Sequence, residues 1–269
     1  MGTHGQDGRH VAGQSAAVSA SASEQNRAYY DQELAGKDDY WRKMAAPRFR
    51  VREFLRLVDV EPFFRLCDLG CGGGQLLREI AERYPRAELC GVDLAETQVA
   101  ANRREMPGAQ FFAMDLDRPA AVPMEMLGKC DVIVASELIE HVGNPQQLLR
   151  NALTLARPGG RLLLSTQSGP LRETERRVGH QRHFSVEDIR SVLSAAGWQP
   201  ERVYNCGFPF HDLSKWYANR NPDASMKQFA EGKYGLREDV LCFLLRMAFR
   251  LNSHSHGAQL FAVARKVGS

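Results

Sequence analysis

The chain has 269 residues, of which 43% are hydrophobic and 25% charged, with a formal net charge of +3. That length can bury a sizeable core, and so small a positive excess argues against a nucleic-acid partner. Cys67, Cys71, Cys90, Cys130, Cys206 and Cys242 form no C-x-x-C pair and no zinc-like spacing. They read as reduced core thiols, and no metal is expected. The first residues lack a positive-then-apolar leader pattern, and no apolar run reaches the roughly 18 residues of a membrane span. A cytoplasmic protein is expected.

Residues 1–23 are mostly Gly, Ala, Ser, Gln, Val and His, too poor in apolar area to order themselves, so they read as a disordered tail. Residues 24–60 read as an N-terminal helical cap. Tyr29, Tyr30, Tyr40 and Trp41 lie in a polar context there. They either cap the core or, for Tyr29 or Tyr30, close over a ligand as a lid. Residues 48–60, R-F-R-V-R-E-F-L-R-L-V-D-V, have the pattern of a helix with one buried face.

Residues 65–77, R-L-C-D-L-G-C-G-G-G-Q-L-L, read as strand, glycine turn and helix start. Without Cβ atoms, the glycines permit positive φ and close approach of a ligand to the backbone. A helix over 75–84 stopped by Pro85, a strand over 87–94, a helix over 96–105 and a strand over 110–116 follow. A fourth strand spans 130–136, a helix 145–156, a turn R-P-G-G 157–160, and a fifth strand 161–167. This alternation predicts a doubly wound α/β core with a parallel sheet over residues 61–206. After a polar connection, Ser185 and Asp188 mark a capping box, and a sixth strand spans 199–206. The aromatic stretch 207–257 is expected to hold two helices, with its run V-L-C-F-L-L-R-M-A-F-R-L packed in the core, and to form an acceptor-side cap. Peripheral membrane association stays open for it. Residues 258–269 carry the last strand.

Asp93 ends the second strand nineteen positions after Gly74, where a doubly wound fold places an acid for ribose hydroxyls. A dinucleotide fingerprint would want Gly or Ala where Gln75 stands. Asp68, before the glycines, would sit poorly beside a pyrophosphate but well beside the ammonium and sulfonium of S-adenosylmethionine.

With these residues in view, the chain resembles class I S-adenosylmethionine-dependent methyltransferases. L-C-D-L-G-C-G-G-G looks like their first motif, G-V-D-L at 91–94 their second, A-M-D-L at 113–116 their third, D-V-I-V-A-S-E-L-I-E-H-V their fourth, and P-G-G-R-L-L-L-S-T the turn and strand beyond. The resemblance implies a mostly parallel seven-stranded sheet with an antiparallel last strand and a helical cap. It implies S-adenosylmethionine as cofactor, with Asp68 and the backbone of Gly70, Cys71, Gly72 and Gly74 on the methionine moiety and Asp93 on the ribose. Leu94, Asp115 and Leu116 would frame the adenine, Ser136 and Glu137 would line the pocket by the reactive methyl, and Tyr30 would close over it.

The expected reaction is methylation of O or N on a small-molecule acceptor in specialised-metabolite or quinone-like biosynthesis, by a monomer or homodimer. His141, His180 and His183 are candidate general bases. Each also has a positional reading: His141 fixing the loop after the fourth strand, and His183 preceding the staple residue Phe184. His180 has the freer setting, and proximity alone can suffice. Arg172, Arg176, Arg177, Arg182 and Arg190 either bind an anionic acceptor or form a solvated face offset by neighbouring acids. The rival readings are an NAD-binding oxidoreductase, a protein or nucleic-acid methyltransferase, and a non-catalytic cofactor binder.

Overall fold

The computed structural model describes residues 43–119, 122–231 and 235–268. The tail and the aromatic cluster Tyr29, Tyr30, Tyr40 and Trp41 lie outside the described residues. From α1 (Ala45–Val58) the chain alternates β1 (Arg65–Leu69), α2 (Gln75–Arg83), β2 (Glu88–Asp93), α3 (Glu96–Glu105), β3 (Gln110–Ala113), β4 (Cys130–Ser136), α4 (Pro145–Leu155) and β5 (Ala156–Gln167). Then come α5 (Glu173–Arg177), α6 (Val186–Ala195), β6 (Trp198–Cys206), α7 (Phe210–Ala218), α8 (Pro222–Glu231), α9 (Leu236–Ala248) and β7 (Gln259–Lys266).

The strands form one sheet in the order β3-β2-β1-β4-β5-β7-β6. The pairs from β3 to β5 are parallel, while β7 is antiparallel to both β5 and β6. Alternation along the strands splits the core between the two faces. Cys67, Leu69, Ile133 and Leu162 pack with Leu148 of α4 and Leu193 of α6. Leu66, Val134 and Leu163 pack with Phe54 of α1 and Leu77 of α2. The strand order reverses between β1 and β4, and a doubly wound sheet opens its ligand crevice at the carboxyl ends of such a pair.

Several elements depart from the sequence expectations. β3 stops at Ala113 rather than 116: Met114 N makes a last bond to Asp93 O at 2.9 Å, and the chain then turns at Asp115, whose side chain accepts from Asp117 N. β5 already begins at Ala156. The R-P-G-G stretch is a bulge within it, where the register against β4 jumps between the Cys130 and Val132 pairings and Gly159 has φ 73°. The supposedly polar connection holds the short helix α5, and the aromatic stretch holds three helices rather than two. The run expected in the core is half outside it: Val240, Leu241, Phe243, Leu244 and Met247 are exposed, and only Cys242 and Phe249 are buried. α9 packs one stripe against α1 and leaves its other face uncovered. All six cysteines are buried thiols outside any disulfide. Among the described residues, no helix is long and apolar enough to cross a membrane.

Arg161 of β5 sets the seat of α1. Only 3% exposed, it donates to Leu57 O at 3.0 Å, Val58 O at 3.4 Å and Glu61 O at 3.3 Å, satisfying carbonyls that the helix end leaves unpaired. Arg161→Met should therefore lower stability by about 2 kcal/mol, read as a lower urea midpoint at unchanged slope. An unchanged midpoint would show that water serves those carbonyls equally well.

Candidate active site

A cavity of about 1220 Å³ opens at the carboxyl ends of the central strands. On one side it is walled by the glycine turn. Gly70 N and Cys71 N both donate to Val92 O, at 2.7 and 3.0 Å, folding the turn back onto β2. Gly72 N donates to Asp93 Oδ2 at 2.7 Å, and Asn102 Nδ2 of α3 holds Gly72 O at 2.7 Å. A Cβ on Gly72, at φ 48°, would meet nothing within 4 Å, so this is the open side of the cradle. Gly74 starts α2 in the left-handed region at φ 73°, and a Cβ there would come within 2.8 Å of Asn102 Oδ1.

Asp68 is 3% exposed and its Oδ1 has no hydrogen-bond partner. Burial first, and then the nearby charge of Asp93, push its carboxyl up to about 8. Asp93 is committed to the turn: Oδ2 takes Gly72 N, and Oδ1 takes Ala95 N at 2.9 Å.

Asp68, Gly70, Cys71, Gly72, Asp93, Leu94, Asp115, Leu116, Ser136 and Glu137 all line the cavity. Gly74 is not part of that wall and shapes the turn from behind. Tyr30 lies outside the described residues. Asp115 accepts from Asp117 N at 3.0 Å and pairs with Arg118 at 3.4 Å. Sequence reasoning missed Asp117, which is 7% exposed and takes Gly143 N at 2.9 Å and Asn144 N at 2.7 Å, tying the loop after β3 to the start of α4.

Beyond Ser136 the backbone kinks at Glu137, a non-glycine residue with φ 51°. Its carboxylate accepts from Ser165 Oγ at 2.9 Å, Gln167 Nε2 at 3.1 Å and Gln259 Nε2 at 2.8 Å. Burial pushes this carboxyl up, but Arg50 and the three donors outweigh it and hold it at about 2. Glu140, one turn on and fully buried, goes the other way: burial and Glu137 raise it well above the usual carboxylate range. It accepts from Thr166 Oγ1 at 2.9 Å, and its Oε1 has no partner.

The three candidate histidines meet. The His141 and His180 rings lie edge to face at 4.6 Å. His180 Nδ1 is 3.2 Å from His183 Nε2, and His183 Nδ1 is 3.1 Å from Gly169 O. His141 and His180 line the cavity and His183 backs them. The free setting expected for His180 is not found: it is 8% exposed, with the His141 and His183 rings against it. Burial lowers His141 to about 4, partly offset by Glu137 and a bond to the Gly179 backbone. Burial, then His141, lower His180 to about 2. Both rings are neutral at pH 7. Glu140, His141 and His180 each offer a ligand atom, all within 4.8 Å of one another. Donors of this kind can seat a divalent cation, a grouping that linear spacing hides because His180 lies 39 positions after His141. The arginine cluster points elsewhere: Arg177 is paired with Glu173 at 2.9 Å and Asp223 at 2.6 Å, an outward-facing network.

A family model for a methyltransferase domain matches residues 37–203. The chain belongs to that methyltransferase family. It is 36% identical over 132 residues to a ubiquinone biosynthesis O-methyltransferase of Pseudomonas aeruginosa, covering 44% of this chain and 56% of that one. It is 30% identical over 107 residues to the protein of the same name from Acinetobacter baumannii, covering 38% and 43%. The alignments thus span about half the length of these curated relatives. Among solved structures, a Haemonchus contortus phosphoethanolamine N-methyltransferase 2 in complex with S-adenosyl-L-methionine superposes with TM-score 0.61 at 15% identity over 90% of this chain and 60% of that one. The [4+2]-cyclase SpnF gives 0.55 at 18% identity, with 83% and 82% covered. These likenesses extend to the fold.

The methyltransferase cofactor is S-adenosylmethionine, and the residues fit it. An unpaired buried carboxylate suits its ammonium, and the bare edge of Gly72 leaves room beside it. Asp68→Asn keeps the shape and removes the charge, so S-adenosylmethionine affinity should fall by about tenfold or more with no loss in thermal midpoint. Equal affinity of the two proteins in calorimetric titration would remove Asp68 from the site.

Proposed function

We propose that this methyltransferase moves a methyl group to an oxygen or nitrogen of a small-molecule acceptor. The acceptor would enter the half of the cavity formed by α1 and helices α7 to α9. The observation that carries this reading is the union, in one cavity, of the unpaired Asp68 carboxylate and an apolar chamber. The names of the relatives matched over about half of their length favour an oxygen acceptor in quinone-like biosynthesis.

In this reading Asp68 and the backbone of Gly70 to Gly72 hold the methionine moiety. Asp93 serves the ribose hydroxyls while it braces the turn. Leu94, Asp115 and Leu116 frame the adenine. Bound there, S-adenosylmethionine supplies an electrophilic methyl on a sulfonium. The protein's share is to align the nucleophile in line with that methyl and to keep water out. Ser136 and Glu137 border the transfer zone, Glu137 fixed by its three donors. His141, the less depressed of the two neutral rings, is the candidate to accept the acceptor's proton, with His180 packed edge to face against it and itself oriented by His183 and Gly169.

Incubating the protein with methyl-labelled S-adenosylmethionine and extracts or phenolic acceptors, followed by mass spectrometry, should yield S-adenosylhomocysteine and a labelled small molecule in equal amounts. His141→Ala should lower kcat by about a hundredfold at unchanged cofactor KM. Cofactor binding without transfer to any small molecule would overturn the reading, and turnover that requires an added divalent cation would recast His141 and His180 as ligands.

A further inference from the structure

Helix α9 has an outer face that the rest of the described chain leaves uncovered. Cys242 and Phe249 are buried on its inner side, and Leu245 packs against the same core beside α1. On the outer side stand Leu236, Val240, Phe243, Leu244, Met247 and Leu251, between 42% and 81% exposed, the last on the helical turn Phe249–Leu251 that continues α9. Their spacing of i, i+4, i+7, i+8, i+11 and i+15 draws one stripe along a helix of 3.6 residues per turn. The stripe presents an apolar area on the order of several hundred Å², a size that on soluble proteins marks an interaction surface.

Two features of the stripe fit a second copy of itself. Its spacing reads the same in both directions: about a point between Phe243 and Leu244, Leu236 mirrors Leu251 and Val240 mirrors Met247. Two such helices laid antiparallel across a two-fold axis therefore match apolar side chains along the whole stripe. The charges agree with that arrangement. At about 100° per residue, Asp239, Arg246 and Arg250 share one edge of the stripe, and a two-fold axis between antiparallel helices brings each edge against its own copy. The mirror of position 239 falls between 246 and 250, so the acid of each helix faces the two guanidinium groups of the other. Asp239 holds Lys43 at 3.0 Å, and its side chain is still 43% exposed. An acid on that edge is out of place on a helix lying on a lipid surface, whose polar flanks are basic.

We propose that α9 is a homodimer interface, in which the stripes of two copies pack antiparallel across a two-fold axis and Asp239 of each meets Arg246 and Arg250 of the partner subunit. Face to face, the two stripes bury roughly 1,200 Å², the lower end of the range for a stable pair. Leu241 and Leu245 of the same helix line the cavity, so the partner braces that wall from behind. Pairing itself needs nothing from the methyl-transfer chemistry.

Sedimentation velocity of the full chain between about 1 and 100 µM should show a species of twice the chain mass. Leu244→Glu, a change on an exposed position, should be monomeric across that range with an unchanged thermal midpoint. Asp239→Arg should raise the dissociation constant about tenfold, and adding Arg246→Glu and Arg250→Glu to it should restore the pairing. Leu244 lies beside the axis, so Leu244→Cys treated with diamide, which takes up the two thiol protons and electrons, should give a disulfide-linked dimer. Val60→Cys, at a 69% exposed position ahead of β1, should not. A wild type that stays monomeric to about 100 µM would overturn the proposal, and pelleting of that monomer with phosphatidylglycerol vesicles would give the face to lipid instead. A dimer that persists in Leu244→Glu, with no cross-link in Leu244→Cys, would put the pairing on another surface and overturn it equally.

Discussion

Asp68 and Asp93 stand at the carboxyl ends of two paired parallel strands, and the charge they share is the constraint on which the site depends. Asp93 is held by backbone donors from the turn and from Ala95. Asp68 has no such relief: one oxygen is buried without a partner and its carboxyl is pushed up to about 8. A sheet designed for stability alone would put an apolar residue there. The fold tolerates the acid because β1, β2 and β4 are pinned around it by Leu66, Leu69, Val92 and Val134, all buried. The free energy lost in burying the carboxyl is recovered when a cation arrives, so local instability and ligand affinity have one physical origin.

A second pair of acids repeats this logic with the opposite result. Glu137 and Glu140 lie three residues apart, the first half-buried and the second fully buried, yet Glu137 keeps its charge and Glu140 is driven towards the neutral form. The difference is in the donors. Gln167, Gln259 and Ser165 reach Glu137 from the parallel strand β5 and the antiparallel strand β7. Glu140 has only Thr166 and stands beside the Glu137 charge. The antiparallel last strand thereby does more than close the sheet, because Gln259 enters the site from it. Arg161 reaches from β5 to the end of α1, so the helix bearing Arg50 is held against the same sheet that carries the acids.

How much of this was readable in advance follows the range of each interaction. The glycine turn, Asp68 and Asp93 depend on local strand-turn-helix chemistry, and the chain spells them out within thirty residues. The doubly wound order also matched expectation, because the alternation of strand and helix periods encodes it, and so did the antiparallel last strand, which the family resemblance implies. Contacts between distant segments were hidden. Nothing in the sequence placed Gln259 on Glu137, His180 against His141, or Asp117 under the start of α4. The free setting assumed for His180 and the anion-binding role considered for Arg177 were judged from neighbours in sequence. The decisive neighbours were the rings of His141 and His183 against the first and Asp223 meeting the second. α9 misled for a different reason: its composition is that of a core helix, but position in the fold exposes one face.

The central claim is that Asp68 is held protonated by burial until a cation draws it into the charged form. At pH 7 that makes proton release an obligatory part of cofactor binding. Calorimetric titration of the full chain with S-adenosylmethionine in buffers of different ionisation enthalpy measures the release directly. The account predicts close to one proton released per cofactor bound at pH 7, falling as the pH is raised beyond about 8 and absent in Asp68→Asn. Binding with no proton change in the wild type would contradict it.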